Sequence, residues 1–92
     1  MSIRFEWNQS KADGNLRKHG VAFDDAIGVF ADPSALMKQD RIEGGELRRQ
    51  TLGMVEGHLL LMTHTVGEAE DGIEIIRISS ARAADRMELK TL

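Results

Sequence analysis

"LRRQTLGMVEGHLLLMTHTV" (Leu47–Val66) decides how the chain folds. Beyond Pro33 the pattern is of strands separated by turn signals, and Glu56-Gly57 between the two halves is such a signal, so the stretch reads as a β-hairpin. Upstream, "ALMKQD" (Ala35–Asp40) leads through the Gly-Gly turn of "EGGE" into the same region, which predicts a second hairpin beside the first. Downstream, "IEIIRISSA" (Ile73–Ala81) follows the loop "GEAEDG" and is a further strand with many β-branched residues.

Outside this meander the period changes. Ile3, Phe5 and Trp7 alternate with Arg4 and Glu6, the pattern of a short half-buried strand. Asn8 is a helix cap, Ala12 and Leu16 share a helical face, Gly14 weakens that helix, and Gly20 offers a left-handed stop. "FDDAIGVFADP" (Phe23–Pro33) spaces Phe23, Ala26, Ile27 and Phe30 as a second helix, with Asp24 as its expected cap and Pro33 as its end. "RAADRMELK" (Arg82–Lys90) is expected to close the chain as a helix.

The predicted order is strand, two helices, four strands, helix. That is an α+β body with an antiparallel sheet, helices on one face and the other face open for a ligand. The 92 residues, with no repeat or linker, read as a single domain over 1–92. There is no cysteine for a disulfide or thiolate site, and no apolar run long enough to span a bilayer, so a cytoplasmic setting without membrane contact is expected.

A formal charge of -3 argues against a surface that grips polyanions everywhere. The cations are nevertheless grouped, in "RKH" (Arg17–His19), "LRRQ" (Leu47–Gln50) and "RISSARAADR" (Arg77–Arg86). Arg77 sits among isoleucines on the face of Ile73, Ile75 and Ser79, where it must find a carboxylate such as Glu46 or Glu74, or a ligand phosphate. Arg82, Arg48, Arg49 and Arg77 are candidates to converge at one end of the sheet.

His19, His58 and His64 lack metal-ligand spacing, so neither a metal nor another cofactor is expected. His19, beside Lys18, is a candidate proton-transfer group and equally a helix C-terminal cap. Trp7 is a core residue or a stacking platform for a base. No serine-histidine-acid arrangement, P-loop or dinucleotide-binding motif is present.

"FEWNQSKADGNLRKHGVAFDDAIGVFADP", "EGGELRRQTLGMVEGHLLLMTHT" and "IRISSAR" together resemble the BrnT toxins, the ribonuclease half of a bacterial type II toxin-antitoxin pair. By position, Trp7, Lys11, Asn15, Lys18, His19 and Gly20 match the opening motif, Glu46 and Arg48 an E-x-R pair, and Arg77 and Arg82 the closing arginines. The resemblance implies a RelE-like compact domain with a curved antiparallel sheet, two N-terminal helices and a C-terminal helix. It also implies metal-independent RNA cleavage and neutralisation by a BrnA-like ribbon-helix-helix antitoxin, with operator DNA bound only through that partner and a homodimer or larger toxin-antitoxin assembly.

On this reading Arg48, Arg77 and Arg82 hold the scissile phosphate, and His19, with Glu46 as competitor, removes the ribose 2′-hydroxyl proton beside Lys18. Trp7, Lys11, Arg49 and Arg86 are the expected RNA contacts. The chain has no tyrosine for the usual C-terminal end, its "HTV" replaces a positively charged turn, and Arg49 stands where a tryptophan is common. The alternative reading is therefore a catalytically weakened antitoxin-binding module that acts in operon autorepression.

Overall fold

The computed structural model describes residues 2–69, 71–85 and 87–88, with the side chain of Glu43 left aside. The chain runs β1 (Ile3–Glu6), α1 (Gln9–His19), α2 (Phe23–Ala26), a 3₁₀ helix (Ile27–Ala31), β2 (Leu36–Glu43), β3 (Glu46–Val55), β4 (His58–Glu68) and β5 (Glu74–Ala83). The strands form one sheet in the order β1-β5-β4-β3-β2. The expected meander from β2 to β5 is present with antiparallel pairing throughout.

Three expectations need correction. The sheet is mixed and not wholly antiparallel, because β1 lies parallel to β5, pairing Phe5 with Ile76. Period-2 alternation specifies faces and carries no information on strand direction. Asp24 does not cap α2; Ala22 holds that place without a side-chain bond, and Asp24 and Asp25 lie in the first turn, where the helix dipole favours negative charge. The expected closing helix is not among the elements of the described residues: Arg82 and Ala83 continue β5, and Ala84 and Asp85 belong to no element. Of its remainder, Met87 and Glu88 are helical, while Arg86, Leu89 and Lys90 lie outside the described residues.

Asn8 caps α1 as expected, accepting from the Lys11 amide, and Gly20 ends it at φ 71°. Asn15 has a role that its sequence context does not announce. Its Nδ2 donates to the carbonyls of Ala81 (2.8 Å) and Val21 (2.9 Å), and its Oδ1 accepts from the Ala81 amide at 3.1 Å. β1 pairs with β5 only as far as Arg77. Beyond that point the Asn15 amide does at Ala81 what a neighbouring strand would do, satisfying donor and acceptor together.

Asp32 serves the opposite end of the sheet in the same way. Its carboxylate accepts from the Met54 amide at 2.8 Å, just past the residues of β3 that β2 covers, and from the Ser34 amide at 2.9 Å. These two bonds hold the carboxyl below the usual range.

The helices cover one face. Ala12, Phe23, Ala26 and Val29 pack on Leu60, Met62, Ile78 and Ala81. Gly53 permits the close crossing of the 3₁₀ helix, since a Cβ there would stand 3.1 Å from the Val29 carbonyl oxygen. His64 is fully buried in this layer, bonded through Nε2 to Thr51 Oγ1 at 2.8 Å and packed edge-on against Phe30. Burial, and secondarily the nearby Arg49 charge, push its pKa down from 6.5 to about 4, so it is neutral at pH 7.

Candidate functional site

Directly opposed residues of an antiparallel pair share a face, so the register assigns each side chain to a side of the sheet. Arg48, Thr65 and Arg77 are in register across β3, β4 and β5, with Glu6 of β1 and Arg41 of β2 completing the row. The row lies on the face away from the helices. The next row on this face holds Lys38, Gln50, Thr63 and Ser80, and the one after it Leu36, Leu52, Leu61 and Arg82.

Arg77 is the hub of the first row. It donates to Glu46 at 2.5 Å and to Glu6 at 3.4 Å, joining β1 to β3 across two intervening strands. The Thr65 hydroxyl, and after it Arg77, hold the Glu46 carboxyl below its ordinary value although burial pushes the other way. Thr65 Oγ1 is itself enclosed and reaches no partner with good hydrogen-bond geometry. We therefore treat it as a dipole beside Glu46 and assign the directed bond to Arg77. Arg48 meets Asp40 at 3.3 Å, and the irregularity between Gln39 and Arg41 that shifts the β2 register falls at this aspartate.

Arg82 forks onto Glu88 with bonds of 2.8 and 2.7 Å, and the pairing lowers the Glu88 pKa. Since Arg82 stands beside Leu61 on the open face, Glu88 lies over that face too. Leu52 and Leu61 are 1% and 5% exposed there, so this corner is a covered one.

α1 adds two further cations. Gln9, Asp13 and Leu16 line a shallow hollow of about 130 Å³ with Phe23 and Asp24, which fixes the flank of α1 that looks toward α2. Lys11 and Lys18 are seven residues apart on the other flank, at 100° per residue. Both are exposed.

His19 is elsewhere. With Gly20, Val21, Ala22, Asp25, Val55, Glu56, His58, Leu60 and Ala83 it lines a cleft of about 330 Å³ at the β3–β4 hairpin end, on the helix side. Arg77 lies six residues back along β5 from Ala83 and faces the other way, roughly 20 Å off at 3.3 Å per residue. The sheet separates the two groups, so His19 and the arginines expected to work with it do not meet.

Nor do the four arginines converge. Arg77 and Arg48 share a row with Glu46 nearby, and Arg82 is two rows further on. Arg49 points to the helix side, donating to Met37 Sδ at 3.2 Å and lining a groove of about 560 Å³ with Val66, Gly67, Glu68, Gly72 and Glu74. Trp7 packs edge-on against Phe23, with ring centroids 6.0 Å apart, so its ring belongs to the core side. Arg86 is outside the described residues. Among the described residues no three His, Asp or Glu side chains are grouped to hold a metal ion, and no helix is long and apolar enough to cross a membrane.

Residues 7–88 match the family described as ribonuclease toxin, BrnT, of type II toxin-antitoxin system. The chain belongs to the BrnT family. The family is one of ribonuclease toxins of type II toxin-antitoxin systems, and membership implies an antitoxin partner. No curated protein matches the chain. Within the BrnT match fall the residues that the resemblance singles out, from Trp7 to Arg82, together with Lys38, Arg41 and Thr65 of the open face, which the sequence reading passes over. Lys38 and Arg41 are visible as cations of β2, but only the register shows whose neighbours they are.

Proposed function

We propose that this BrnT-family chain is an endoribonuclease that binds RNA on the open face of the sheet, cleaves it without a metal ion, and is neutralised by a BrnA-like ribbon-helix-helix antitoxin through which operator DNA is bound. The observation that carries the reading is the row Arg48–Thr65–Arg77, with Glu46 bonded to Arg77. Two guanidiniums one strand apart on either side of a hydroxyl form a cradle for a phosphate, and Lys11, Lys18, Lys38, Arg41 and Arg82 extend positive charge beyond it.

In the resting protein Glu46 occupies the Arg77 fork. An incoming phosphodiester takes that place, and Glu46, freed from its partner, accepts the proton of the neighbouring ribose 2′-hydroxyl. The 2′-oxygen then bonds to phosphorus, the bond to the 5′-oxygen breaks, and the 5′-oxygen is protonated from water. Arg48 and Arg77 carry the extra negative charge on the phosphoryl oxygens, worth about 3 kcal/mol for each well-placed donor. Chemistry that needs the 2′-hydroxyl restricts cleavage to RNA.

Glu46 replaces His19 as the favoured base in this reading because Glu46 is within bonding distance of the phosphate-binding arginine. The test is cleavage of a labelled RNA in EDTA by antitoxin-free protein. Wild type and His19→Ala cut; Arg77→Ala and Glu46→Gln do not. Loss of cleavage in His19→Ala alone, with folding intact, refutes the assignment.

One observation favours the rival reading, a module with weakened catalysis: Arg48, Arg77 and Arg82 are each paired with a carboxylate in the resting chain. Under it, folded wild type leaves RNA intact, and Arg82→Ala alters operator binding by the toxin-antitoxin complex.

A further inference from the structure

The His19–His58 cleft has the opposite character to the open face. Its floor is apolar, made by Val55, Leu60 and Ala83, and its rim carries Asp25, Glu56 and the two imidazoles. Among the described residues neither Asp25 nor Glu56 forms an ion pair. Glu56 stands at the tip of the β3–β4 hairpin with φ 49°, the only described residue besides glycines with positive φ, so the turn fixes its backbone beside the cleft. Apart from the two imidazoles, the lining residues carry two carboxylates and no lysine or arginine.

Such a rim repels RNA phosphates. It suits an apolar side chain entering the floor with a lysine or arginine beside it, because carboxylates and imidazole nitrogens all accept hydrogen bonds from a cation. About 330 Å³ is room for one or two side chains of a peptide. We infer that this cleft is the anchoring site for a basic, apolar-centred segment of the antitoxin, an inference that rests on the family's antitoxin partner and not on the cleavage mechanism. Anchored here, the segment leaves the Arg48–Thr65–Arg77 row uncovered. A chain leaving the cleft past Ala83 needs to round only the end of β5 to reach Arg82 on the other face.

The experiment is calorimetric titration of the toxin with its full-length cognate antitoxin. Asp25→Asn/Glu56→Gln removes the rim charges at nearly constant shape, Ala83→Leu fills the floor without changing charge, and Glu68→Gln/Glu74→Gln is a charge-matched control in the Arg49 groove. Melting temperatures confirm folding of each. Affinity tenfold or more weaker in the first two, and within twofold of wild type in the control, is the expected result. Unchanged affinity in the rim variant, or equal losses in rim and control variants, overturns the inference. RNA cleavage is read on the same samples: if wild type does not cut but the affinity pattern holds, the cleavage reading fails and the docking site stands.

Discussion

The two sides of one five-stranded sheet differ in what they leave for a ligand. On the open side, cations from β2, β3 and β5 stand over a framework of threonine, serine and glutamine, and carboxylates of the same chain occupy the arginines. On the helix side, the floor is closed by an apolar core, and the cleft left at the hairpin end is acidic with two histidines. The net charge of -3 averages these surfaces and describes neither. The difference teaches that a polyanion and a cationic partner can be served by one small body if the sheet keeps their sites apart.

The largest effect expected is on catalysis. Arg77→Ala should lower single-turnover RNA cleavage by about 100-fold or more, the equivalent of about 3 kcal/mol, while its half-exposed ion pairs cost about 1 kcal/mol or less in denaturant unfolding. His19→Ala on the other side should leave cleavage within a few-fold of wild type. Equal losses in both would erase the distinction between the sides.

Asn15→Ala sharpens the comparison from the side of stability. It strands the amide and carbonyl of Ala81 and the carbonyl of Val21, so urea unfolding should show a loss of roughly 2–4 kcal/mol. A loss below about 1 kcal/mol would mean that water replaces the side chain and that the β5 edge does not depend on it.

The fold was largely legible for a physical reason, and so was its chief gap. Alternation in "IRFEW" and "IEIIRISSA", with turns at Glu56-Gly57 and Gly44-Gly45, specifies strands and their order along the chain. Asn15 and Asp32 could not be read this way, because each satisfies backbone groups that are exposed only where a neighbouring strand ends. At the candidate site, the sequence shows that Arg77 needs a partner and names Glu46, Glu74 and a ligand phosphate as candidates, among which the structure selects Glu46 together with Glu6. It does not separate His19 from the arginines. The C-terminus of α1 and the arginine-bearing strand face lie on opposite sides of a sheet whose strand order the sequence leaves open.

Above the carboxylate range, a pH titration probes the buried helix side. His64 has its pKa depressed from 6.5 to about 4 in the folded chain, so the unfolded chain binds more protons between those values. Stability is therefore complete above pH 6.5, falls as the pH drops toward 4, and loses about 3 kcal/mol in all. The upper part of that window lies above the carboxylate range, and the slope there should vanish in a His64→Gln variant that still folds. A slope unchanged by the substitution assigns it to other groups.

The smallest effect concerns the flank of α1. Lys11→Ala/Lys18→Ala should weaken single-stranded RNA binding without discriminating among sequences. It should also reduce the slope of log affinity against log salt by about 1.4, at about 0.7 for each phosphate that is no longer neutralised. An unaltered slope would take α1 out of the RNA surface and leave only the sheet.

The most direct test is a map of where RNA sits, made by following backbone amide signals while a non-cleavable 2′-O-methyl RNA is added to antitoxin-free protein. Shifts are expected at Arg48, Thr63, Thr65, Arg77 and Ser80, which share the open face, with His19, Val55 and His58 unmoved. Shifts centred on His19 and His58, with the open-face strand residues silent, would contradict that placement.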